Sequence, residues 1–111
     1  MGIKQTSTRK DDPDHRAVVV LKGAGTVVTD GINLYKNKSG NPGMATGGSG
    51  DVLTGVIAAL IGQDLSTLDA AILGVHIHGL AGDLAAKDLG EVSLMASDLI
   101  DYLPAAFRRL R

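Results

Sequence analysis

The stretch "NPGMATGGSGD", Asn41 to Asp51, clusters glycines around a single carboxylate and runs directly into "VLTGVIAALIG". Few features narrow a fold as much as this one. Glycines make poor core material, but without Cβ atoms their backbone N–H groups can turn inward and approach an anion closely. A helix that begins immediately after them adds its own free N–H groups and the positive end of its dipole. Such a helix start can hold the oxygens of a phosphoryl group during transfer. The helix itself is expected over Asp51 to Gly62. Val52, Leu53, Val56, Ile57, Leu60 and Ile61 recur at helical spacing, and Ala58 and Ala59 widen a surface that must be buried.

The standard phosphate motifs do not account for the loop. A Walker A loop needs Lys after its last glycine, and Asp51 follows Gly50. The dinucleotide fingerprint Gly-x-Gly-x-x-Gly must follow a strand, whereas Gly48-Ser49-Gly50 follows a loop and precedes Asp51, Val52 and Leu53.

The rest of the chain supplies the layers. Residues Met1 to Arg16 are polar, contain "RKDDPDHR", show no apolar period, and read as an N-terminal arm or a cut edge. "AVVVL", Ala17 to Leu21, is a β-branched run of the kind found in strands buried on both faces. Asp30-Gly31 lies between two β-favouring stretches and signals a hairpin turn. Ser66 with Asp69 resembles a capping box opening a second helix that runs to about Lys87. Ser97 or Asp98 starts a third helix, which ends among Arg108, Arg109 and Arg111, where positive charge suits a helix C-terminus. Strand, hairpin, glycine loop and three helices make an α/β chain. One strand and a hairpin leave too much apolar helix uncovered, so more strands or a second copy are expected, in a homo-oligomer.

Composition removes several functions. A net charge of −1 and few aromatic residues provide no footprint for nucleic acid or an anionic membrane surface. No apolar run is long enough to span a bilayer, and no cysteine is present to build a thiolate metal site or disulfides. A cytoplasmic protein is expected.

Each candidate residue carries two readings. Asp51 is either an N-cap or a general base aimed at a substrate hydroxyl beside a bound phosphate, and the roles are compatible. Lys22, in "LKGAGT", is either a solvated strand-end charge or a ligand group beside a glycine turn, with the Thr26 hydroxyl near it. His76 and His78 in "GVHIHG" sit in a helical context, where residues two apart point away from each other, so no metal site is expected. His78 reads as a packed or hydrogen-bonded histidine at a crowded helix contact. Asp83 falls on roughly the face of His76 and is read as a solvated charge in preference to a site residue.

"VVVLKGAGTVV" followed by "GNPGMATGGSGDVLTGVIAALIGQ" resembles the ADP- or ATP-dependent NAD(P)H-hydrate dehydratases, relatives of the ribokinase-like kinases. "HGLAGDLAA" and "ASDLIDYLP" resemble that family's C-terminal region, and the likeness extends from Ala17 to Arg111. The eleven-residue loop is its specific part, since Gly-x-Gly-Asp alone marks only the wider kinase superfamily. The resemblance implies a three-layer α/β/α fold. This chain would supply its C-terminal portion over residues 17–111, because the family's domain is well over twice as long. It also implies repair of (6S)-hydrated NADH or NADPH, driven by ADP or ATP with Mg2+. Carried over by position, Lys22, Gly23, Ala24, Gly25 and Thr26 form a nucleotide-contacting segment. Asn41, Gly43, Thr46, Gly47, Gly48, Ser49 and Gly50 belong to the loop around the phosphates. Asp51 meets the hydrated ring, takes the proton of its hydroxyl as that oxygen attacks the terminal phosphate, and the ester then eliminates. Magnesium would be held mostly by phosphates and water. A ribokinase-like kinase for a vitamin precursor or sugar could use the same loop, and a non-catalytic fragment or assembly module is the remaining alternative.

Overall fold

A computed structural model of the chain describes residues 2–4, 17–23 and 25–110. Ala24, most of the N-terminal arm and Arg111 lie outside the described residues. The elements come in the order β1 (Gly2–Lys4), β2 (Ala17–Leu21), β3 (Val27–Thr29), β4 (Leu34–Lys36), a 3-10 turn (Pro42–Met44), α1 (Ser49–Ile61), α2 (Thr67–Leu89) and α3 (Ala96–Arg108). The strands form one sheet in the order β1-β2-β3-β4, each pair antiparallel.

β1 lies within the stretch read from sequence as an arm or cut edge. Its three residues are too few for a period of two to show. β2 forms where the β-branched run places it, but it is buried on one face, not both. Val18 and Val20 are buried, whereas Val19 and Leu21 are 37% and 56% exposed. The buried pair packs with Val28 into a core shared with α1 and α2. The run therefore reflects the good fit of β-branched side chains to a pleated surface. A second helical layer on the open face is not among the described residues.

The hairpin forms at Asp30-Gly31, with a loop extending to Asn33 between β3 and β4. Asp30 Oδ1 accepts from the N–H groups of Ile32 (2.9 Å) and Asn33 (2.7 Å), an Asp-driven turn that sets the loop length.

α2 is the spine of the molecule, touching α1, α3, β2 and β3. It begins as the sequence indicates, with the Ser66 hydroxyl accepting from the Asp69 N–H at 3.1 Å. Its buried face consists mostly of small residues, among them Ala70, Ala71, Gly74, Ala81, Gly82 and Ala85. Neighbours can therefore approach closely, and a Cβ on Gly74 would lie 2.5 Å from Ile57 Cγ1. α3 starts at Ala96, slightly earlier than expected, with Asp98 Oδ2 accepting from the Met95 N–H at 2.9 Å. The outer side of α1 stays open. Val52, Gly55, Val56 and Ala59 face Ile100, Leu103 and Phe107 across an apolar groove of about 700 Å³ with Asp51 at its rim.

Candidate functional site

The glycine loop reaches α1 through Gly48, which is the N-cap at φ 88° and offers no side chain to the cap. Ser49, Gly50 and Asp51 are the first three helical residues. Asp51 is therefore not the N-cap expected from sequence. The positive φ that lets the chain turn into the helix suits glycine, so the cap falls earlier. The helix start leaves the N–H groups of Gly50 and Asp51 without intrahelical acceptors. The exposed Asp51 carboxylate stands in the first turn, where the helix dipole favours negative charge.

Lys22 comes to the same place from the end of β2. A Cβ on Gly50 would stand 3.0 Å from Lys22 Nζ, so the absent side chain leaves room for the ammonium against the helix start. The connection after Lys22 joins antiparallel β2 to β3, and Lys36 of β4 lies against it at Gly25. At Gly25, φ 74°, a Cβ would fall 2.6 Å from Lys36 Cε. Lys36 has no sequence signal; the register of β3 and β4 delivers it.

Other loop residues face the protein. Ser49 is buried, with its hydroxyl 3.3 Å and its carbonyl oxygen 3.0 Å from His78 Nε2 on α2. Asn41 Oδ1 accepts from the Gly43 N–H at 3.0 Å, while its Nδ2 donates to Asp83 Oδ1 at 3.0 Å. Gly43 lies against the backbone of Glu91, with a Cβ there 2.8 Å from Glu91 Cα. Thr46 uses its carbonyl for the Ser49 N–H at 3.2 Å. Lys22, Gly47, Gly48, Gly50 and Asp51 thus make up the open part of the site, and Asn41, Gly43 and Ser49 its foundation.

His78 is the hydrogen-bonded histidine of a crowded contact that its sequence setting suggests. Burial lowers its pKa below the usual histidine value, the Lys22 charge lowers it further, and the bond to Ser49 opposes both. Asp83 is more than a solvated charge: its Oδ2 accepts from the Gly40 N–H at 2.9 Å. Asn37, which sequence reading overlooks, is buried and donates through Nδ2 to the Val75 carbonyl at 3.1 Å. Its neighbours in "KNKSGN" are polar, and nothing local marks it as a core residue. Among the described residues no group of three His, Asp or Glu gathers to hold a metal ion, and none of the helices is long and apolar enough to cross a membrane.

The family model for NAD(P)H-hydrate dehydratase matches residues 4–105. The chain belongs to this family. It is 56% identical over 97 residues to the bifunctional NAD(P)H-hydrate repair enzyme Nnr of Moorella thermoacetica, covering 86% of this chain and 18% of that protein. It is likewise 56% identical over 86 residues to the Nnr of Vibrio cholerae, covering 78% of this chain and 17% of the relative. Among solved structures it resembles the ADP/ATP-dependent NAD(P)H-hydrate dehydratase of Bacillus subtilis co-crystallized with ATP/Mg2+. There the TM-score is 0.80 at 33% identity, over 85% of this chain and 34% of that one. The chain thus spans about a fifth of the length of the Nnr relatives and a third of the dehydratase chain. The likeness places its sheet and three helices in the kinase-like α/β fold of the dehydratases.

Proposed function

We propose that this chain forms the phosphate-binding and base-bearing part of a dehydratase that repairs (6S)-hydrated NADH or NADPH at the expense of ADP or ATP. One observation carries the reading: the Lys22 ammonium, the free amides of Gly50 and Asp51, and the Asp51 carboxylate converge on a single helix start. Amides and ammonium suit a terminal phosphate. Gly23, Gly25 and Thr26, in the connection after β2, would continue the nucleotide side. Mg2+ would come with the nucleotide, and one exposed carboxylate fits an ion held mainly by phosphate oxygens and water. When bound, it neutralises phosphate charge.

Asp51 carries the proton chemistry in this reading. Its carboxylate accepts the proton of the ring hydroxyl as that oxygen bonds to the terminal phosphorus and the phosphoanhydride bond breaks. Phosphate then departs with the electrons of the C–O bond, a neighbouring ring C–H gives its proton to water, and the electrons of that C–H bond form the returning double bond. The apolar groove beside Asp51 suits the face of a ring. Its open length also supports self-association of the chain, because exposed apolar patches of this kind are commonly interfaces. The substrate class supports a cytoplasmic setting.

The test is to titrate the 111-residue chain with ADP and ATP and to follow the return of dihydronicotinamide absorbance from the hydrated cofactor. Release of inorganic phosphate supports dehydration, whereas phosphate retained on the product would identify a kinase. Sedimentation of the same sample settles self-association; a monomer at every concentration would remove that part of the proposal.

A further inference from the structure

The span from Gly40 to Ser49 has few side chains of its own to hold it in place, yet it must aim its amides. α2 grips it at both ends. At the entrance, Asp83 Oδ2 and Oδ1 accept from the Gly40 N–H at 2.9 Å and from Asn41 Nδ2 at 3.0 Å. At the exit, His78 Nε2 lies 3.0 Å from the Ser49 carbonyl oxygen. A carbonyl only accepts, so the ring carries its proton on Nε2. Between these points the loop lies down on α2 where side chains are missing. A Cβ on Gly79 would collide with Ser39, and one on Gly82 with the Met44 side chain. Just upstream, Ser39 Oγ donates to the His76 carbonyl at 2.9 Å. The five-residue step from His78 to Asp83 thus spans the whole loop.

We infer that His78 and Asp83 are positioning residues that clamp the two ends of the anion-binding loop onto α2, so that its amides are aimed before ligand arrives. The inference rests on the nucleotide reading of that loop. A preorganised loop loses less freedom on binding and so binds more tightly. His78 is buried and held away from the charged state by that burial, which keeps it a plain N–H donor. Neither residue needs to touch ligand.

The experiment measures 15N order parameters of the ligand-free 111-residue chain, unsubstituted and as His78→Leu, His78→Gln and Asp83→Ala, followed by ADP titration. In His78→Leu and Asp83→Ala, the Gly47, Gly48 and Gly50 order parameters should fall from about 0.85 to below about 0.6, while mid-helix values in α1 and α2 hold. ADP affinity should drop about tenfold in His78→Leu, the equivalent of one lost hydrogen bond, and at least as far in Asp83→Ala, which loses two. His78→Gln retains an N–H donor and should restore both readouts to within about twofold of the parent. Should His78→Leu fail to fold, Asp83→Ala decides. Unchanged loop order in the folded variants overturns the inference, and so does an equal loss of order throughout α1 and α2. If the unsubstituted chain binds no ADP, the nucleotide reading fails, while the ligand-free order parameters still decide the clamp.

Discussion

The Lys22 ammonium occupies the space in front of Gly50 where a side chain would otherwise stand, with Nζ 3.0 Å from the position of a Cβ there. The two residues come from separate layers, the end of β2 and the first turn of α1. Their meeting puts the ammonium of a long, flexible side chain beside the backbone N–H groups of the helix start, an arrangement that suits an anion.

Gly50→Ala should separate binding from stability. The atom its Cβ meets is the far end of a flexible lysine, which can move aside, so the melting temperature should stay within about 4 °C of the parent, as for a change of about 0.5 kcal/mol. The ammonium is displaced, however, and ADP affinity should fall about tenfold by calorimetry, a loss of roughly 1.4 kcal/mol. Unchanged affinity would show that Lys22 takes no part in holding phosphate.

Gly48→Ala should behave differently. Gly48 sits at φ 88°, and its Cβ would meet Ala96 Cβ at 3.1 Å. A left-handed non-glycine residue costs roughly 1–2 kcal/mol, so urea unfolding should register the change before any ligand is added.

Asp51→Asn tests the base. Asp51 is the third residue of α1 and not its cap, so losing its charge removes only a dipole interaction of about 0.3–1 kcal/mol. Losing general-base assistance typically costs about 10²–10⁴ in rate. Repair should therefore collapse in Asp51→Asn with the fold nearly intact. Equal turnover by parent and variant would leave Asp51 a helix-start charge with no chemical role.

His78 makes stability depend on pH in one direction. Its folded pKa is lowered, chiefly by burial, so the unfolded chain takes up the proton first on acidification. Its contribution is complete above the unfolded histidine value of about 6.5 and is lost as pH falls through the lower folded value. Urea midpoints measured from about pH 7.5 down to pH 5 should decline in the parent, and the slope should flatten in His78→Gln. Parallel curves would mean that another group governs the acid limb.

Ile57→Ala probes the seam between α1 and α2. Ile57 is 1% exposed and packs on Gly74, where no side chain intervenes. The cavity left behind should cost about 2–5 kcal/mol. Denaturant melts should show the loss whether or not nucleotide is present.

What could be read from the sequence was what local chemistry dictates. The glycines before an apolar period announce a loop and a helix start, because conformational freedom and amphipathic spacing are properties of neighbouring residues. Ser66 with Asp69 and the Asp30-Gly31 turn were legible for the same reason, since each bond closes within a few residues. The cap at Gly48 was not, because Asp51 has the right chemistry for an N-cap and only the backbone angle at Gly48 moves the helix start. Single-faced burial of β2 was decided by where the helices lie, which the β-branched run does not encode. Tertiary structure alone also turned Asp83 into an anchor, buried Asn37 against the Val75 carbonyl and placed Lys22 at Gly50. Those contacts join residues far apart in the chain, and their energy depends on distances that only the packed layers set.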